Sequence, residues 1–160
     1  MKAALAALAL HEETLLALSR GEPAAALETR PASGVWSARE NLAHLGRYQE
    51  VLLERLDRIA AEEAPVLARY RTEEDRASGP WFALAPRPLA AAFTERRRAL
   101  VTRLQALTAA DAARSARHPL LGAMDVGGWL ACFLDHEGHH LYVARLRLGQ
   151  ATARLAAKDA

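Results

Sequence analysis

Apolar residues recur along this chain at spacings of three and four, in four blocks separated by stretches rich in Pro, Gly and Ala. The first block, Lys2 to Arg20, breaks at His11-Glu12-Glu13 before leucines resume at Leu15, Leu16 and Leu18. That interruption describes an amphipathic helix and not an exported leader. Gly21 and Pro23 supply its stop signal. The second block opens on Ser37-Ala38-Arg39-Glu40, the pattern of a capping box in which serine hydroxyl and glutamate carboxylate each satisfy the other's backbone amide. From there Leu45, Tyr48, Leu52, Leu56 and Ile59 mark one face of a long helix expected over 37–63 and ended before Pro65.

A third helix is expected over 88–107. It begins at Pro88, a residue type favoured in the first turn, and its apolar face is Leu89, Phe93, Leu100, Leu104 and Leu107. The fourth, over 125–149, is capped by Asp125 and stopped at Gly149. Residues 129–134 are apolar nearly all round, which places this helix in the centre of the core. The stretches 21–36, 65–88 and 108–124 are expected to be long irregular connections. The pattern therefore predicts an all-α fold, an antiparallel four-helix bundle with long loops, in a single domain over 1–160.

Composition agrees with that picture. Ala, Leu, Arg and Glu dominate, all good helix formers, and 51% hydrophobic with 25% charged residues suits a soluble globular protein. The net charge of +2 calls for no nucleic-acid partner, and the run Glu95-Arg96-Arg97-Arg98 is expected as a solvated helix face. No stretch approaches the ~18 apolar residues of a membrane span. The single cysteine, Cys132, lies in an apolar stretch, reads as a small buried hydrophobe, and suits a cytoplasmic location.

The candidate chemistry lies in Asp135-His136-Glu137-Gly138-His139-His140. On a helix, His136 and His140 share a face and can share a metal, whereas His139 is turned aside. His44 sits at the inner edge of the second helix's apolar face, and three histidines from two helices would leave coordination positions open for water or substrate. The spacing alone leaves two readings standing: a His44/His136/His140 metal site, or satisfied core and surface histidines. His11 is a candidate fourth ligand or an exposed ring, and His118, before a proline, reads as a turn residue. Asn41, one turn before His44, is the candidate for orienting a ligand. Asp135 and Glu137 read as surface or capping groups, so no side chain stands out as a catalytic acid or base. The HE..H string lacks the downstream ligand of a zinc protease. Trp36, Trp81 and Phe82 are candidates for a pocket wall or for core packing.

Taken together, Arg30-Pro31, Gly34-Val35-Trp36-Ser37, Glu40, His44-Leu45, Glu62-Glu63-Ala64-Pro65, His118-Pro119 with Gly122, and His136 with His140-Leu141 resemble the ordered motifs of the DinB-like superfamily. The resemblance spans roughly 30–147. It implies a four-helix bundle in which His44, His136 and His140 bind a divalent metal (zinc, nickel or iron), and a homodimer. It also implies a small-molecule substrate, with either metal-dependent hydrolysis or transfer and isomerisation dependent on low-molecular-weight thiols such as bacillithiol or mycothiol. The alternative is a non-enzymatic, metal-binding, stress-linked homodimer, and a third reading is a bundle that has lost its metal.

Overall fold

The computed structural model of the chain describes residues 1–20 and 23–158. In chain order it contains α1 (Lys2–Arg20), α2 (Ala24–Glu28), α3 (Ala38–Ala61), α4 (Ser78–Ala83), α5 (Pro86–Gln105), α6 (Ala109–Ala113), β1 (Ser115–His118), β2 (Gly122–Asp125) and α7 (Val126–Ala156). The four long helices are those the hydrophobic pattern predicts. Ser37 Oγ accepts the Glu40 amide at 3.2 Å and the Glu40 carboxylate accepts the Ser37 amide at 2.8 Å, closing the capping box. Asp125 accepts the Gly128 amide at 2.8 Å and so starts α7.

Boundaries and connections differ from expectation in ways that have local causes. Helix α5 starts two residues early, at Pro86, because neither Pro86 nor Pro88 needs an amide in the first turn. Helix α7 runs through Gly149 to Ala156, since one glycine costs a helix only about 1 kcal/mol and the alanine-rich tail favours it. The stop assigned to Gly21 lies outside the described residues. The connections expected as irregular hold short elements: α2, a 3-10 turn at Thr72–Glu74, α4, α6, and an antiparallel hairpin pairing Ser115 with Asp125 and His118 with Gly122. Runs of three to six residues are too short for hydrophobic periodicity to reveal. Gly122 turns the hairpin at φ +78°, a conformation that favours glycine.

Helices α1 and α3 each pack against both α5 and α7, so α1 faces α3 across the diagonal. One apolar cluster joins Leu15, Leu42, Leu45, Leu89, Phe93, Leu141 and Leu148. The other joins Leu8, Leu52, Leu56, Leu100, Leu104, Trp129 and Phe133. Helices α1 and α7 therefore point one way, and α3 and α5 the other. The neighbours α1–α5 and α3–α7 are antiparallel as expected, whereas α1–α7 and α3–α5 run parallel. The connection 62–85 is responsible: it carries the chain back along the bundle as a crossover. Helix α4 packs on α3 within this crossover, with the Trp81 ring occupying the space a side chain at Gly46 would need.

A polar layer separates the two clusters. Arg97, expected in solvent, is 2% exposed, and Glu137, expected on a helix surface or at a cap, is fully buried. The Arg97 guanidinium donates to Glu137 Oε1, and His11 Nδ1 donates to Glu137 Oε2 at 2.9 Å. Helical register is the cause: Phe93, Arg97, Leu100 and Leu104 share the buried face of α5, so one member of the basic run turns inward. There its guanidinium stacks 4.9 Å from the Phe93 ring centroid. None of the described helices is long and apolar enough to cross a membrane.

Removing one partner of a buried ion pair typically costs about 3–5 kcal/mol, because the other charge stays buried and unpaired. Glu137→Gln is accordingly expected to lower the unfolding free energy by about that amount in urea titrations. The double replacement Arg97→Met/Glu137→Leu should recover most of the loss. Equal stability of wild type and the single variant would show that the pair is not holding the layer.

Candidate metal centre

His44 lies two turns into α3, and its partners His136 and His140 lie one turn apart on α7. Because α3 and α7 are antiparallel neighbours, the three rings meet. One ring nitrogen from each lies within 4.8 Å of the other two, and the His44 and His136 Nε2 atoms are 2.7 Å apart. Ring centroids are separated by 4.9 Å for His44–His136, 4.4 Å for His44–His140 and 4.6 Å for His136–His140. His44 is buried and the other two are half-buried.

Hydrogen bonds on the outer side of the rings decide which nitrogen faces inward. Asn41 Nδ2 donates to the Ser37 carbonyl at 2.8 Å, which leaves Asn41 Oδ1 facing His140 Nδ1 at 2.8 Å. A carbonyl oxygen only accepts, so His140 carries its proton on Nδ1 and presents the Nε2 lone pair to the cluster. Thr72 Oγ1 lies 3.0 Å from His44 Nδ1 and holds that ring with its Nε2 toward the cluster. Three neutral imidazoles with inward nitrogens are a donor set suited to a borderline divalent cation, so the residues present fit the implied metal.

Electrostatics keeps the rings uncharged. Burial, followed by the neighbouring rings of His140 and His136, holds the His44 pKa at about 2 instead of the ordinary 6.5. Burial and then the His140 and His139 rings, with a further push from Arg55, hold His136 at about 3. Burial and then His139 hold His140 at about 4. Aromatic rings fix the imidazoles sideways: Tyr48 stacks on His136 at 4.0 Å, and Trp36 and Tyr70 lie 5.1 and 5.8 Å from His44. The cluster opens onto a cavity of about 500 Å³ walled by Trp36, Tyr48, Tyr70 and Trp129.

The three proposed ligands and Asn41 therefore come together as the sequence suggested. His11 does not join them, since its ring is tied to Glu137. His139 is exposed and meets only the edge of His140. His118 does serve a turn, its Nδ1 accepting the Leu120 and Leu121 amides at 3.2 and 3.1 Å, but its ring also faces the cavity. Cys132 is half-buried on the cavity wall instead of fully enclosed. Of the three aromatic candidates, Trp36 lines the cavity, Phe82 packs against Trp36, and Trp81 is core. Asp135 is exposed. Thr72, Tyr70 and Arg55 were not foreseen. Tyr48 and Arg55 could have been placed from their helical spacing to His44, whereas Thr72 and Tyr70 lie in the crossover, where local sequence carries no such signal.

A four-helix bundle with one crossover defines a class of fold, and comparison with known proteins agrees. The model of the DinB superfamily matches residues 7–144, so the chain belongs to that superfamily. The fold is similar to that of YfiT from Bacillus subtilis, described as a probable metal-dependent hydrolase with an unusual four-helix bundle topology. That similarity has a TM-score of 0.74 at 19% identity, over 97% of this chain and 87% of YfiT. It is also similar to TT2238, described as a four-helix bundle protein, with a TM-score of 0.67 at 22% identity over 91% and 98% of the two chains. No curated protein matches the chain in sequence.

The depressed histidine pKa values make the metal-free protein acid-sensitive. Below pH 6.5 the unfolded chain takes up protons that the folded chain refuses, so stability is complete above 6.5 and falls as pH drops toward 4. The slope is at most about 1.4 kcal/mol per pH unit for each histidine. Urea unfolding of chelator-treated protein across this range should show the decline, and His44→Leu should make it shallower. An identical slope in that variant would mean that the cluster is not the source.

Proposed function

We propose that the chain is a divalent-metal-dependent enzyme, most directly a hydrolase, built on the His44/His136/His140 centre. The Asn41–His140 hydrogen bond carries the proposal, because it commits a half-buried histidine to presenting a bare lone pair beside two other imidazoles on the wall of an open cavity. His44, His136 and His140 would hold the ion, with zinc, nickel and iron all compatible with three imidazoles. When bound, such a cation supplies Lewis acidity to polarise a carbonyl or phosphoryl oxygen.

The chain's own residues perform the remaining tasks. Asn41 holds the His140 tautomer and Thr72 the His44 ring, while Trp36 and Tyr48 lock the rings and keep bulk water from their flanks. Tyr70 donates its one hydroxyl proton to Asp75 at 3.1 Å, and burial above all pushes its pKa up to about 12, so its hydroxyl stays protonated beside the cavity and does not act as a base. The description of YfiT as a probable metal-dependent hydrolase supports this reading. A different observation favours low-molecular-weight-thiol-dependent S-transfer at the same centre. No carboxylate among the described residues is hydrogen-bonded to the three imidazoles, and a thiol held as thiolate needs no base of that kind.

Protein purified without chelators should contain one divalent metal per chain by elemental analysis, and His44→Ala and His140→Ala should lose it. Asn41→Ala should retain the fold yet bind the metal about 10–100-fold more weakly, the usual effect of removing an orienting partner. Wild type without metal, and unable to take any up, would sink the proposal. Ester and amide hydrolysis set beside thiol transfer to an electrophile then decides which chemistry the centre performs.

A further inference from the structure

Several arginines around this bundle are neutralised where they stand. Arg47 pairs with Glu54 at 2.8 Å and Asp75 at 2.7 Å, Arg58 with Glu62 at 2.6 Å, and Arg96 with Glu50 at 2.8 Å. The arginines around the histidine cavity are different. Arg55 and Arg69 have no carboxylate partner among the described residues, and Arg71 only approaches Glu74, at 3.7 Å. All three line the cavity, with Glu73 as the one carboxylate on its wall. Arg55 is held in place without being neutralised. Its guanidinium lies 5.0 Å from the Trp129 ring centroid, donates to the Tyr48 hydroxyl at 3.3 Å, and donates to the Ala68 carbonyl at 3.0 Å.

Arg55 stands eleven residues after His44 on α3, about 16 Å along the helix axis, and side chains on a helix lean back toward its N-terminus. The Arg55 guanidinium therefore leans back toward the imidazole cluster, onto the Tyr48 that stacks on His136, while Arg69 and Arg71 flank Tyr70 on the cavity wall. Planar, weakly hydrated guanidiniums in a partly enclosed site suit bidentate recognition of a carboxylate or phosphate. We propose that this cavity takes a small molecule with an anionic group, a carboxylate or phosphate, that Arg55, Arg69 and Arg71 hold while the reacting end lies at the three histidines. The assignment names the substrate class of the metal centre and rests on that functional reading for the position of the reacting end. The anion subsite itself is testable without any metal.

The test is calorimetry on chelator-treated protein at low ionic strength, with succinate, inorganic phosphate and uncharged succinamide as probes. At least one anion should bind where succinamide does not, and its affinity should fall as salt is added. Arg69→Ala/Arg71→Ala, which replaces two exposed side chains and leaves the core alone, should weaken that binding about tenfold or more. The better of succinate and phosphate identifies the anionic group. Anion binding no tighter than that of succinamide, or unchanged in the double variant, overturns the proposal. Metal titration of the same proteins separates the two readings. Metal uptake by wild type and double variant without anion binding removes the anion subsite and leaves the metal centre. Anion binding sensitive to the double replacement, without metal uptake, upholds the subsite and removes the metal centre.

Discussion

The buried Arg97–Glu137 pair sets the rotation of α7, and the site depends on that rotation. The pair reaches across the diagonal of the bundle from α5, with His11 of α1 bonded to the second carboxylate oxygen. A charge pair so buried tolerates little rotation, because an unpaired ion in this setting is costly. With Glu137 turned toward α1 and α5, the helical spacing leaves His136 and His140 facing α3. The polar layer thus has two halves on adjacent faces of one helix. One half holds charge and tertiary register, and the other holds uncharged donors around an opening.

A second chain of contacts runs from the connection before α3 into the same site. Arg30 Nε donates to Glu40 at 2.8 Å, Glu40 accepts the Ser37 amide, Asn41 donates to the Ser37 carbonyl, and His140 donates to Asn41. The cap that begins α3 is therefore also what points the Asn41 amide, and through it selects the His140 tautomer. The close spacing of Arg30, Ser37, Glu40, Asn41 and His44 follows from this: helix initiation and ligand orientation share atoms.

The crossover between α3 and α5 contributes what neither long helix can. Its 3-10 turn brings Thr72 to His44, and its extended part brings Tyr70, Arg69 and Arg71 to the cavity. The same segment makes α3 and α5 run parallel, so topology and the outer wall of the site have a common origin. Arg55, stacked on Trp129, joins that wall to α7.

Much of this was legible in the chain. The four helices, the caps at Ser37 and Asp125, the shared face of His136 and His140, and the place of His44 and Asn41 on α3 are consequences of local spacing, which a helix converts directly into direction. The sequence by itself therefore determined the elements and the residues available to form the centre. Only the tertiary structure decided that Arg97 and Glu137 are buried partners, that His11 serves Glu137, and that Thr72 reaches His44. Those facts depend on which helices become neighbours and where a long connection lies. Such long-range packing leaves no periodic trace in the segments it joins.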